Sequence, residues 1–199
     1  MKYIILDIET KPQENISHLK EIVANKVLKD PEKIAADIEE KTKGLRKTLS
    51  LDTDYADIIC IGVKTEEETL MFKSLAEFSE WYAGLNTDEI NDNVLVGYNI
   101  KAFDIPIIIK QGLKQGLNLP YNEFHKMTKK FSTEYCIDLM EVISYQASWK
   151  SLDELLKIYL GISKTPIDFE TASEDEIIAH CEEDCENTYK LFKLFEKLI

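Results

Sequence analysis

The run from Tyr3 to Glu9, apolar apart from Asp7 and Glu9, constrains this chain more than any other segment. A short, almost wholly apolar run suits a strand buried on both faces, as in a sheet covered by helices on each side. Ile58–Val63 and Val94–Tyr98 have the same character. Thr69–Phe72 follows the first of these across the acidic turn Thr65–Glu68, which predicts a hairpin. Helical patterns lie between the strands. Leu75, Phe78, Trp81, Tyr82 and Leu85 form the apolar stripe of a helix from about 74 to 85, and another helix is expected from about 105 to 115. Residues 12–50 are highly charged and helix-favouring. Asp30-Pro31 marks a break there, so two helices are expected, near 14–28 and 31–48. Beyond residue 115 the chain reads as mainly helical, with a loop near 161–171 and a long last helix reaching Leu198. This order describes an α/β fold: one domain spanning 1–199, with a helical insert at about 12–50 after the first strand.

The 199 residues are enough to bury a core, and a hydrophobic fraction of 44% argues against disorder. No apolar stretch reaches the roughly 18 residues of a membrane span, and charge appears too early for a signal peptide. Four cysteines without a secretory signal fit free thiols in a reducing, cytoplasmic setting. The net charge is −13 and the chain has a single arginine, Arg46, which disfavours blanket electrostatic binding to nucleic acid. Residues 101–150 nevertheless carry a net +2. Any phosphate-binding surface would draw on Lys101, Lys110, Lys114, Lys126, Lys129 and Lys130, which otherwise form a solvated lysine-rich face.

Several acids stand where acids are costly. Asp7 and Glu9 are two apart on a strand, so both point to one face. Burying two like charges costs several kcal/mol or more unless a cation answers them. A metal ion would do so; a wet strand end would also tolerate the pair. Asp104 follows the strand ending at Tyr98 and precedes Ile105-Pro106, the place of a helix N-cap. That place also lies past the carboxyl end of a strand, where open α/β sheets collect ligands. The last helix opens with the capping-box pattern Ser173–Glu176 and carries an apolar stripe of Ile177, Cys181, Thr188, Phe192 and Phe195. Asp184 lies on that stripe and needs a partner. His180, four residues earlier, is its neighbour on the helix, and its ordinary pKa suits proton transfer near neutrality.

Ile5-Leu6-Asp7-Ile8-Glu9-Thr10 resembles the first motif of the DEDD superfamily of 3′→5′ exonucleases. Gly97-Tyr98-Asn99-Ile100-Lys101-Ala102-Phe103-Asp104-Ile105-Pro106 is similar to the second motif of the proofreading domains of family B DNA polymerases. His180-Cys181-Glu182-Glu183-Asp184 resembles the third. Ile137–Met140, Ser151–Leu155 and Leu160-Gly161-Ile162 resemble stand-alone, often phage-encoded, relatives. The resemblance implies a ribonuclease H-like fold with a mixed central sheet flanked by helices. It implies that Asp7, Glu9, Asp104 and Asp184 hold two divalent ions, Mg²⁺ or Mn²⁺, for hydrolysis at the 3′ end of a single strand. It also puts Asn99 and Phe103 beside the terminal nucleotides, favours DNA over RNA, and allows a replication or repair partner. The third motif departs from the polymerase pattern, because His180 occupies the tyrosine spacing before Asp184. His180 is expected to replace that tyrosine as general base or water-orienting group.

Other chemistries find less support. Zinc binding by His180, Cys181 and Cys185 lacks a second ligand pair at the usual spacing. There is no G-x-S-x-G element, Walker loop or Rossmann glycine fingerprint. The other reading from a different class is a catalytically inactive nucleic-acid-binding or scaffold module that keeps the exonuclease fold.

Overall fold

The computed structural model describes residues 2–13, 22–85, 93–144 and 148–199. Its chain forms two compact units, Met1–Glu9 with Ile58–Ile199, and Thr10–Asp57.

The larger unit is built on a five-stranded sheet in the order β3-β2-β1-β4-β5. These strands are β1 (Lys2–Pro12), β2 (Ala56–Lys64), β3 (Thr69–Phe72), β4 (Asn93–Gly97) and β5 (Cys136–Asp138). β1 runs parallel to β4, with Ile5 opposite Val96, and β4 runs parallel to β5, with Gly97 opposite Asp138. The expected hairpin pairs β2 with β3 antiparallel, from Ile61 opposite Phe72 to Lys64 opposite Thr69. The sheet is therefore mixed. β5 is a short strand that the reading of a mainly helical chain beyond residue 115 did not include.

Helices cover the sheet: α2 (Leu75–Gly84), α3 (Asp104–Gln115), α4 (Tyr121–Met127), α5 (Leu139–Ser144), α6 (Leu152–Leu160) and α7 (Glu174–Phe195). Ser173 caps α7, and Glu176 closes the box by accepting the Ser173 backbone N–H at 2.8 Å. The stripe expected on α7 is buried at Ile177, Cys181, Thr188 and Phe192, with Asp184 among them. Leu191 and Phe192 pack with Ile5, Val96, Ile137 and Leu156 in the main core. Nearer its start, α7 lies against β2 at Gly62, where an added Cβ would stand 2.5 Å from the Cys185 sulfur. The cysteines there act as small core residues, and all four in the chain are free and buried.

In the smaller unit, α1 (Pro31–Ser50) begins at the Asp30-Pro31 break. The Asp30 carboxylate accepts the Glu32 N–H at 3.0 Å, and proline stands in the first turn, where its missing N–H costs nothing. The Thr10 hydroxyl donates to Ser50 O at 2.6 Å, and Gln13 N–H donates to Tyr55 O at 2.9 Å. The helix expected near 14–28 is not formed over 22–28, which is irregular with a turn at 26–27; residues 14–21 lie outside the described residues. No helix among the described residues is long and apolar enough to cross a membrane.

Candidate active site

The parallel register of β1 and β4 assembles the site. Their last pair is Ile5 with Val96, so Asp7 and Glu9 lie within β1 just past that pairing, at the level of the carboxyl end of β4. Gly97 ends β4. A Cβ there would stand 2.7 Å from Ile100 Cβ and 2.9 Å from Leu6 O, so only glycine lets the chain turn this tightly against β1. Asn99 then takes a left-handed φ of 60°, which asparagine tolerates better than most residues.

The buried Asp138 carboxylate, at the end of β5, holds this loop. It accepts N–H groups from Asn99 at 2.9 Å, Lys101 at 3.2 Å and Met140 at 3.0 Å. The loop delivers Asp104 to the first residue of α3, 4% exposed. The N-cap position belongs to Phe103, whose side chain makes no capping hydrogen bond, so Asp104 does not cap as expected. Its carboxyl is bonded instead to the backbone of Ile8 in β1. Asn99 and Phe103 are partly exposed on the same loop.

Electrostatics tie the four acids into one group. Burial pushes the Asp7 carboxyl up to about 7, with Asp184 adding repulsion and Lys164 opposing. Burial also lifts Glu9, to about 9, helped by Asp7 and Asp184. Asp104 is raised well above the carboxylate range by burial and then by Asp7. Asp184, buried on α7, is raised by burial while the Lys164 ammonium pulls the other way. The structure thus brings Asp7, Glu9, Asp104 and Asp184 within electrostatic reach, Asp7 acting on Glu9 and Asp104, and Asp184 on Asp7 and Glu9.

Glu9, His180 and Asp184 present ligand atoms within 4.8 Å of one another, a spacing that can hold a metal ion. Among the described residues, Asp184 Oδ1 is buried with no hydrogen-bond partner. An oxygen-rich, orphaned and mutually repelling donor set fits a hard divalent cation. His180 Nε2 is 3.9 Å from Asp184 Oδ2, and burial lowers its pKa below the ordinary 6.5. The imidazole packs edge-on against Phe169, with ring centroids 5.7 Å apart. A cavity of about 460 Å³ opens beside it, lined by Thr165, Pro166, Asp168, Glu176 and Glu183 among others. The thiols are a poor zinc set: Cys181 Sγ is 3.7 Å from the Asp7 carboxylate, and its pKa is held well above the usual thiol range, first by a hydrogen bond to Cys185.

Sequence reasoning missed Lys164. Its ammonium pairs directly with Asp184 Oδ2 and opposes the raised pKa values of Asp7 and Glu9. Its own N–H donates to Asp153 Oδ1 at 3.1 Å, and the next N–H, Thr165, donates to Glu183 at 3.3 Å, so the loop before α7 is tied at both sides. The available signal was compositional: Lys164 is the one lysine between Lys157 and Lys190, in a strongly acidic stretch. Lys101 also departs from expectation. It is no part of an open phosphate-binding face, being 4% exposed and paired with Glu141 at 2.7 Å.

A mixed sheet flanked by helices, with acids gathered on β1 and past the end of β4, defines a ribonuclease H-like fold. A family model described as a predicted 3′-5′ exonuclease related to the exonuclease domain of PolB matches residues 64–198, and the chain belongs to that family. Asp104 and Asp184 fall inside the matched span; Asp7 and Glu9 precede it. Among solved structures, the chain is similar to the family B DNA polymerase from the hyperthermophilic archaeon Pyrobaculum calidifontis, with a TM-score of 0.55 and 13% identity. The likeness covers 98% of this chain and 24% of the polymerase, so this chain spans about a quarter of that protein's length. No curated protein matches the sequence.

Proposed function

We propose that this chain is a divalent-metal-dependent 3′→5′ exonuclease acting on single-stranded nucleic acid, with DNA favoured over RNA. The observation that carries the reading is the gathering of four carboxylates from β1, α3 and α7, two with pKa values raised to about 7 and about 9, with the Lys164 ammonium beside Asp7, Glu9 and Asp184. In this reading the Thr10–Asp57 unit is an insert within one exonuclease domain.

Asp7, Glu9, Asp104 and Asp184 would hold two ions, Mg²⁺ or Mn²⁺, with His180 standing beside Glu9 and Asp184. When bound, such ions supply charge to the attacking and leaving oxygens of an in-line displacement. The protein's own residues do the rest. His180, neutral near pH 7 because burial disfavours its cation, can accept a proton from water or orient it. Lys164 is placed to exchange its Asp184 contact for a non-bridging phosphate oxygen of the substrate. Asn99 and Phe103, on the loop leading to Asp104, line the approach of the terminal nucleotides. Family membership and the polymerase-like second motif support DNA, and any proofreading role would involve a replication or repair partner.

The test uses 5′-labelled single strands of matched DNA and RNA with Mg²⁺ or Mn²⁺. Wild type should produce a ladder shortened from the 3′ end, and Asp7→Ala and Asp184→Asn should abolish it. A protein that shifts the strand in a gel without shortening it would instead be the inactive binding module.

A further inference from the structure

Phe131 lies in the turn between α4 and β5, where an apolar side chain has no evident reason to be. It is 54% exposed, and its backbone takes a left-handed φ of 59°. For a bulky residue that conformation is strained and persists only where the surroundings enforce it. Here they do. The Phe131 N–H donates to Glu141 Oε2 at 2.8 Å. Glu141 is held by the buried Lys101 ammonium at 2.7 Å, and that ammonium also donates to Ser132 O at 2.8 Å. The pair of the buried Lys101 with the part-buried Glu141 therefore pins the turn at Phe131 N–H and Ser132 O, with the ring left exposed.

The neighbourhood is basic in a chain of net charge −13. Lys126, Lys129 and Lys130 are exposed just before the ring. The one acid between 124 and 137 is Glu134, whose carboxylate is bonded to the Tyr135 hydroxyl. The pin is continuous with the loop that sets Asp104. Lys101 lies three residues before Asp104, and its N–H is bonded to Asp138, three residues before Glu141. An aromatic face beside phosphate-attracting cations is how single strands are held without reading sequence.

We propose that Phe131 stacks on a nucleobase of the single-stranded substrate upstream of its 3′ end, with Lys129 and Lys130 pairing its phosphates. This deepens the exonuclease reading and rests on it. The Lys101–Glu141 pair is then the positioning element for this subsite.

The experiment measures binding separately from cleavage. Phosphorothioate-linked single strands of DNA and of RNA, carrying 2-aminopurine at successive positions, are titrated into wild type, Phe131→Ala, Phe131→Trp, Phe131→Gly and Lys129→Ala/Lys130→Ala. Stacking predicts quenching at one position in wild type, lost in Phe131→Ala and kept in Phe131→Trp. Kd should rise about tenfold in Phe131→Ala, and KM in parallel on cleavable strands by more than kcat falls. The double lysine variant should flatten the salt dependence of log K by about 1.4, two contacts on a single strand. Phe131→Gly should bind weakly yet melt higher, since glycine accepts the left-handed backbone; a lower Tm would mean that the ring serves folding and overturns the proposal. An active enzyme with equal Kd, KM and quenching in wild type and Phe131→Ala overturns the subsite and leaves the nuclease standing. A wild type that cleaves nothing but loses affinity in Phe131→Ala supports the subsite and removes the nuclease.

Discussion

Asp184 has two nitrogen neighbours, the Lys164 ammonium and His180 Nε2 at 3.9 Å, and they make separable predictions. If His180 accepts a proton, kcat/KM should climb with pH through an imidazole pKa below 6.5, the direction that burial imposes. His180→Ala should erase that limb and cost about 10²–10⁴-fold in rate, and His180→Tyr should restore part of the rate. A rate and profile left intact by alanine would refute the role. Lys164 competes with any bound cation, so Lys164→Met should tighten Mn²⁺ or Ca²⁺ binding on the order of tenfold. The same variant should melt lower without metal, because the buried acids lose their one cation among the described residues. Calorimetric titration and a thermal scan with EDTA check both, and unchanged affinity would dismiss Lys164 as a metal-site group. Asp184 was legible from sequence because a helix stripe exposes an acid as misplaced. Lys164 was not, because a loop has no period, and only the fold brings position 164 against position 184.

Helices and long strands were legible for a related reason. The stripe of α7, the break before α1 and the β2–β3 hairpin each carry their own periodic or turn signal. β5 carries none: Cys136–Asp138 runs straight into α5, and its extended form comes from pairing with β4, whose residues 95–97 lie some forty positions away. The same holds for Lys101, which resembles any surface lysine until Glu141, forty residues on, closes over it. The turn after β4 has a sharp local requirement. Gly97→Ala would place a methyl within 2.7 Å of Ile100 Cβ and 2.9 Å of the Leu6 carbonyl, a backbone atom that cannot step aside cheaply. Denaturant unfolding should show a loss of about 1–3 kcal/mol. Activity should fall further than stability alone explains, since the displaced loop carries Asp104. A variant as stable and as active as wild type would show that the tight turn has no part in placing that acid.

For the molecule as a whole, the site sets a conflict between folding and function that pH can expose. The carboxyls of Asp7 and Glu9 have folded pKa values raised to about 7 and about 9 by burial and mutual repulsion. Each holds its proton more tightly folded than unfolded, so the associated stability is complete below the ordinary carboxylate range, near 4. It is lost as pH rises through about 7 and then about 9. Carboxyls with lowered pKa values, such as Asp153 and Glu176, pull the other way under acid conditions, which confines the test to pH 6 and above. Between pH 6 and pH 9 the metal-free protein should lose several degrees of Tm. Mg²⁺ or Ca²⁺ should recover them, most strongly at the alkaline end, because the ion binds only the deprotonated acids. Asp7→Asn, with no charge to bury, should show a flatter pH dependence and a smaller response to metal. A metal-free Tm that rises from pH 6 to pH 9 would mean that these acids ionise freely, and that no cation is needed to hold them together.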